Sequence, residues 1–142
     1  MVAISFSVMK DKLLSGEKSH TIRKIKNLKR LHQIARLKKL QIYWKLRTKY
    51  TEKLFDATLL DISMFHLDKN GYPWALVSDP TYPFACNPGV DCDLVKFPYD
   101  EANKLAVKDG FSSIEEMQKW FVDKYKEQVC GDYMGISFER VR

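Results

Sequence analysis

Residues Gln41-Ile42-Tyr43-Trp44-Lys45-Leu46-Arg47 alternate without a break, placing Ile42, Trp44 and Leu46 on one face of an extended segment and Tyr43, Lys45 and Arg47 on the other. Such a segment is a half-buried strand, and a strand of that kind needs a sheet and a core to lie on. Further strands are read at Ile4–Ser7, Thr21–Arg23, Ala57–Phe65 and Met134–Phe138, and Lys69-Asn70-Gly71-Tyr72 carries the Asn-Gly signal of a tight hairpin. Between them lie helical signals. A short amphipathic turn over Lys10–Leu14 ends at Gly16, a residue that tolerates the left-handed conformation of a helix stop. Asp100–Asp109 presents Ala102 and Ala106 inward and stops at Gly110; Ser112-Ser113-Ile114-Glu115 reads as a capping box opening a helix with Ile114, Met117, Phe121 and Tyr125 at helical spacing. Strands and helices do not alternate regularly, as a parallel sheet requires. The expectation is therefore α+β: a small, strongly curved sheet or barrel with flanking helices.

Two stretches read less clearly. Lys24–Lys39 is basic, with leucines at 28, 31, 37 and 40 that suit one face of a helix or an irregular excursion equally. All five prolines (73, 80, 83, 88 and 98) fall between Tyr72 and Tyr99, so about residues 67–98 read as a proline-rich surface insertion within a single domain spanning 1–142. No repeat of fixed period is visible.

With 142 residues, 45% of them hydrophobic and 30% charged, the chain is long enough for one self-sufficient core and is not disordered or collagenous. No apolar run approaches the ~20 residues of a membrane span, and Met1-Val2-Ala3-Ile4-Ser5-Phe6 lacks the build of a secretory signal. A cytoplasmic protein with no membrane partner is the expectation. Cys86, Cys92 and Cys130 are odd in number and fit no common zinc spacing, so they read as free thiols. His20, His32 and His66 show no two-histidine metal spacing, and no glycine-rich phosphate loop is present. No metal and no cofactor are expected. The sequence sets no oligomeric state.

Charge is unevenly placed. Residues 1–60 hold 15 Lys/Arg against 4 Asp/Glu, whereas residues 61–142 hold 9 against 14. A basic half that also clusters in space attracts phosphates, and Tyr43, Trp44 and Tyr50 are interleaved with its cations.

Gly16-Glu17-Lys18-Ser19-His20-Thr21-Ile22-Arg23 resembles the Gly-x-Lys-x-x-Thr-Ile-Arg signature of the ASCH domains, a branch of the PUA-like barrels. Tyr43-Trp44-Lys45-Leu46-Arg47-Thr48-Lys49, Asp109-Gly110-Phe111-Ser112 and Met134–Glu139 resemble further segments of that family, in the same order. The resemblance implies a PUA-like β-barrel whose cleft suits RNA or nucleosides. One sub-branch removes the acetyl group of acetylcytidine with a Lys, a Thr three residues on and a Glu before the last helix, which map here to Lys18, Thr21 and Asp109. Asp109 is one methylene shorter than that Glu, and the Gly-Asp that commonly precedes the family's central strand is replaced by Leu37-Lys38-Lys39-Leu40.

Three functions follow as expectations. The first is nucleic-acid binding in a basic cleft, with Lys18, Arg23, Arg47 and Lys49 supplying charge and Tyr43 and Tyr50 stacking on bases. The second is amide hydrolysis on an acylated pyrimidine nucleoside, with Lys18, Thr21 and Asp109 as the catalytic set; a nuclease is a third, without an identifiable acid-base pair. A lysine serves as a base only when neutral, and burial and neighbouring cations favour that state. A nucleoside-sized pocket favours hydrolysis, and an open groove favours strand binding.

Overall fold

The computed structural model describes residues 2–25, 28–77 and 93–141. Among these the class is α+β, with seven strands in a mixed sheet and four α-helices. The strands are β1 (Val2–Phe6), β2 (His20–Lys24), β3 (Lys39–Trp44), β4 (Glu52–Leu67), β5 (Pro73–Val77), β6 (Asp93–Lys96) and β7 (Gly131–Arg140). The helices are α1 (Lys10–Ser15), α2 (Leu28–Leu37), α3 (Tyr99–Lys108) and α4 (Ile114–Tyr125). The chain gathers into two compact units: residues 1–63, 108–110 and 134–142 form the first, and residues 64–107 and 111–133 the second.

In the first unit β1 runs parallel to β3, from Val2 opposite Leu40 to Phe6 opposite Trp44. β3 is antiparallel to β4, with a bulge after Ile42, and β7 pairs with both β4 and β2. Alternate residues of these strands supply one core: Val2, Ile4 and Phe6; Leu40 and Ile42; Phe55 and Ala57; Met134, Ile136 and Phe138. The sheet of this unit curls into a half-barrel. In the strand order β1-β3-β4-β7, Phe6 and Phe138 lie three strand spacings apart, about 14 Å in a flat sheet. Their ring centroids are 6.3 Å apart. Arg23 of β2, one strand further round, donates from Nη2 to the Ser5 carbonyl of β1, so the two outermost strands face each other across the core.

Local signals act where the sequence places them. Gly16 adopts φ 87° and returns its N–H to the Leu13 carbonyl, ending α1. The ambiguous basic stretch forms α2, anchored by Ile34, which is 1% exposed, with Leu31 partly buried against the same core and Leu37 exposed. The alternation through Arg47 overshoots: β3 stops at Trp44, and Lys45 and Arg47 take left-handed φ values of 46° and 68°. Hydrogen bonds drive that turn. The Lys45 carbonyl accepts from the Thr48 and Thr51 hydroxyls at 2.7 and 3.1 Å, and Ser5 Oγ accepts from Leu46 N at 3.0 Å.

In the second unit, the part of β4 at Phe65–Leu67 pairs with β5, and β5 pairs with β6, both antiparallel. The span 67–98 read as an insertion thus contributes two paired strands, Pro73 starting one of them where its missing N–H costs least. Pro80, Pro83, Pro88, Cys86 and Cys92 lie outside the described residues. The hairpin before β5 forms around Asp68, whose Oδ1 accepts from Asn70 N at 2.8 Å and Tyr72 N at 3.0 Å. α3 buries Ala102 and Ala106 completely. α4 is capped by Ser113, whose Oγ accepts from Glu116 N at 3.3 Å. Glu116, not Glu115, closes the box, reaching back to Ser112 N at 3.2 Å.

Candidate functional site: a buried lysine, aspartate and histidine

Five polar or charged residues are buried in the described chain: Lys18, His20, Thr21, Asp109 and Ser137. All belong to the first unit. Three of them touch. Asp109 Oδ1 lies 3.3 Å from Lys18 Nζ and 3.1 Å from His20 Nδ1, and Lys18 Nζ also donates to the Asp109 backbone carbonyl. An ionised carboxylate only accepts, so the His20 proton sits on Nδ1 and Nε2 faces away from Asp109.

The sequence builds this cluster from two turns and two strands. After α1 ends at Gly16, Lys18 N donates to the Lys12 carbonyl at 3.0 Å, which ties down the loop leading into β2. The opposing turn follows α3, where Gly110 has φ 98°. A side chain there is excluded twice over, because a Cβ would stand 2.7 Å from Met9 Sδ and 3.3 Å from Lys18 Cδ. The Gly110 carbonyl accepts from Lys12 Nζ, holding the turn against α1. His20 lies against β7 at Gly135, where a Cβ would come within 2.6 Å of Nε2 and 2.8 Å of Ser63 Oγ.

Burial lowers the Lys18 pKa below its ordinary value; Asp109 opposes that shift, and Arg23 and Lys12 add to it. The neutral amine that a base requires is therefore more accessible here than on a surface lysine. Lys18 Nζ stands 5.7 Å from the Phe6 ring centroid and the Arg23 guanidinium 5.2 Å from it. Strand periodicity puts Thr21 on the Arg23 face of β2, opposite His20. Thr21 is itself a buried residue, 5% exposed. A groove of about 1230 Å³ opens beside the cluster, lined in part by Ser15, Gly16, Lys18, Ser19, Phe138 and Arg140. Its volume exceeds the roughly 300–1,000 Å³ usual for small-ligand pockets.

The remaining cations read from the sequence lie elsewhere in the unit. Arg47 and Lys49 are exposed on the turn after β3, and Tyr43 is half-buried within β3. That turn is rich in cation–aromatic contacts: Lys49 Nζ lies 5.1 Å from the Tyr50 ring centroid, and Lys45 Nζ lies 5.4 Å from those of both Tyr50 and Trp44. Lys10, Trp44, Lys45, Tyr50 and Glu52 line a recess of about 260 Å³. Trp44, half-buried, belongs to this recess as well as to the core edge.

Lys18 and Asp109, named together from the motif, are in contact, with Lys18 5% exposed and ion-paired. His20 is the member that sequence reasoning passed over. A signal existed: it begins the β-prone triplet's strand on the Ile22 face, and Gly135 supplies the space its ring needs. Among the described residues no group of three or more His, Cys, Asp and Glu side chains is arranged to hold a metal ion, and no helix is long and apolar enough to cross a membrane.

Compared with known proteins, the chain matches no family model, no curated protein and no solved structure.

Proposed function

We propose that this protein binds RNA, or a related single-stranded nucleic acid, on a PUA-like half-barrel of the ASCH type. The observation that carries the reading is the turn after β3, which displays Arg47 and Lys49 to solvent beside the exposed ring of Tyr50. Arginine offers phosphate a planar fork and lysine a point charge, while an exposed tyrosine offers a base a stacking surface. The open groove beside Lys18 supports a strand over a nucleoside as ligand. Arg23, half-buried over Phe6, positions the barrel edge in this reading, and Lys18 serves the core.

Fluorescence anisotropy of a labelled single-stranded RNA across a salt series tests it. With about five phosphates contacted, log affinity falls against log salt with a slope of roughly −3.5. Replacing Arg47 and Lys49 with alanine removes two contacts and flattens the slope to roughly −2. Equal affinity and slope for the variant would overturn the assignment.

A second reading, hydrolysis of an acylated pyrimidine nucleoside, is favoured by the buried Lys18–Asp109 pair and by the burial of Thr21, three residues on from Lys18. In that reaction Thr21 attacks the acyl carbonyl, neutral Lys18 takes its proton and returns it to the departing amine, and water releases the acyl group from Thr21. Chromatography of acetylcytidine incubated with the protein checks this. No cytidine above the level of a Lys18→Ala control removes the hydrolase.

A further inference from the structure

The second unit holds a nucleophile, a base and an acid in sequence. Cys130, exposed just before β7, has its Sγ 3.5 Å from His66 Nε2 on β4. On the far side of the ring, His66 Nδ1 lies 3.2 Å from Asp132 Oδ1. Because the carboxylate accepts from Nδ1–H, Nε2 presents a lone pair to the thiol, the tautomer a base must have. The His66 side chain is 22% exposed, held between its backbone neighbours on β5 and the start of β7, whereas Asp132 is 60% exposed. A thiol within reach of an imidazole that is itself oriented by a carboxylate has the layout of an activated nucleophile.

We propose that Cys130 is a reactive thiol, activated by the His66–Asp132 relay and modified by small hydroperoxides that reach it from solvent. His66 Nε2 takes the thiol proton. The thiolate sulfur attacks one peroxide oxygen, an S–O bond forms and the O–O bond breaks. Sulfur is oxidised by two electrons to the sulfenic acid, the peroxide is reduced, and the departing hydroxide or alkoxide takes the proton from His66, leaving as water or an alcohol. Asp132 stabilises the imidazolium while it exists. Cys130 also interacts with Tyr133, whose hydroxyl is pushed up to about 12 by burial, then by Tyr125 and Cys130. That hydroxyl stays neutral while a thiol titrates and adds no charge to the site. The open setting of Cys130 admits a small oxidant without a shaped pocket, and thiolate character with exposure is what makes oxidation site-selective.

Treating the full chain with hydrogen peroxide in the presence of dimedone, and following the Cys130 adduct by peptide mass spectrometry, tests the proposal. Adduct forms about tenfold faster in the native protein than in His66→Gln, which keeps a hydrogen-bonding side chain but no base. If His66→Gln does not fold by circular dichroism, Asp132→Asn at its exposed position carries the test, with a several-fold slower adduct. A Cys130 that reacts no faster in the native chain than in urea, or at one rate in native and folded variant alike, overturns the relay.

Discussion

Lys18 and Asp109, 91 residues apart in the chain, meet with Nζ 3.3 Å from Oδ1 and side chains only 5% and 6% exposed. Removing water from both charges is costly, and their attraction offsets that cost only while both are present. Two turns, one after α1 and one after α3, exist in the form that makes this contact.

Breaking the pair from its two sides has unequal effects. Asp109→Ala leaves a buried ammonium without its carboxylate and costs about 3–5 kcal/mol. Lys18→Met costs less, since Asp109 retains His20. The double variant lies well below the sum of the singles. Urea unfolding of the four proteins measures the coupling, and additive losses would show that the contact contributes no interaction energy.

Alkaline titration separates two groups of opposite sign. The Lys18 pKa in the native state is below its ordinary 10.5, so between the two values the unfolded chain holds a proton that the native protein has released. Stability therefore rises with pH in that window, and the rise is smaller in Lys18→Met. Tyr133 behaves in reverse. With its hydroxyl pushed up to about 12 from 10.0, the native state keeps a proton that the unfolded chain loses, and its stabilising effect, complete below pH 10, fades on the way to 12. Tyr133→Phe removes that decline. Unfolding free energies across pH 8 to 12 for the three proteins report both slopes, and parallel curves would refute both assignments.

Gly135→Ala destabilises by about 2 kcal/mol, because the new methyl meets the buried His20 ring at 2.6 Å and Asp109 holds that ring in place. Ser63 Oγ, on an exposed residue, has room to turn away. In a His20→Ala background the alanine at 135 is much better tolerated. Thermal unfolding of the single and double variants checks this, with equal penalties in both backgrounds as the contrary result.

Asp68→Ala loosens the β4–β5 hairpin by about 1–3 kcal/mol, since one carboxylate accepts from Asn70 N, Tyr72 N and, at 2.9 Å, Trp74 Nε1. Burial pushes the Asp68 pKa up, but hydrogen bonds from Trp74, Tyr72 and Asn70, with Lys96, together hold it below the usual 3.8. Its contribution is present above pH 3.8 and is lost as pH falls through the lower native value. Hydrogen exchange at Gly71 and Ala75 as a function of pH follows the loss, and unchanged protection in Asp68→Ala would count against it.

Much of the local structure was legible from the residues alone. The stop at Gly16, the inward alanines of α3, the Ser113 cap and the Asn70-Gly71 hairpin are decided within a few positions, because torsional preference and neighbouring hydrogen bonds act over that range. Alternation also announced the sheet, and the mixed order of elements announced the α+β class. Lys18, Thr21 and Asp109 could be named as a set only through motif resemblance. The end of β3 could not be read from Lys45 and Arg47 because it depends on Ser5, about forty positions earlier in the chain. Ile34 became the anchor of α2 through the core it enters, where the leucine count was indifferent between helix and excursion. His20 joined Asp109 where the turn after α3 meets β2, and Cys130 joined His66 where the start of β7 meets β4, neither of which any spacing encodes. Tertiary structure decided those sites because burial and charge pairing depend on distance in space, whereas sequence reports only distance along the chain.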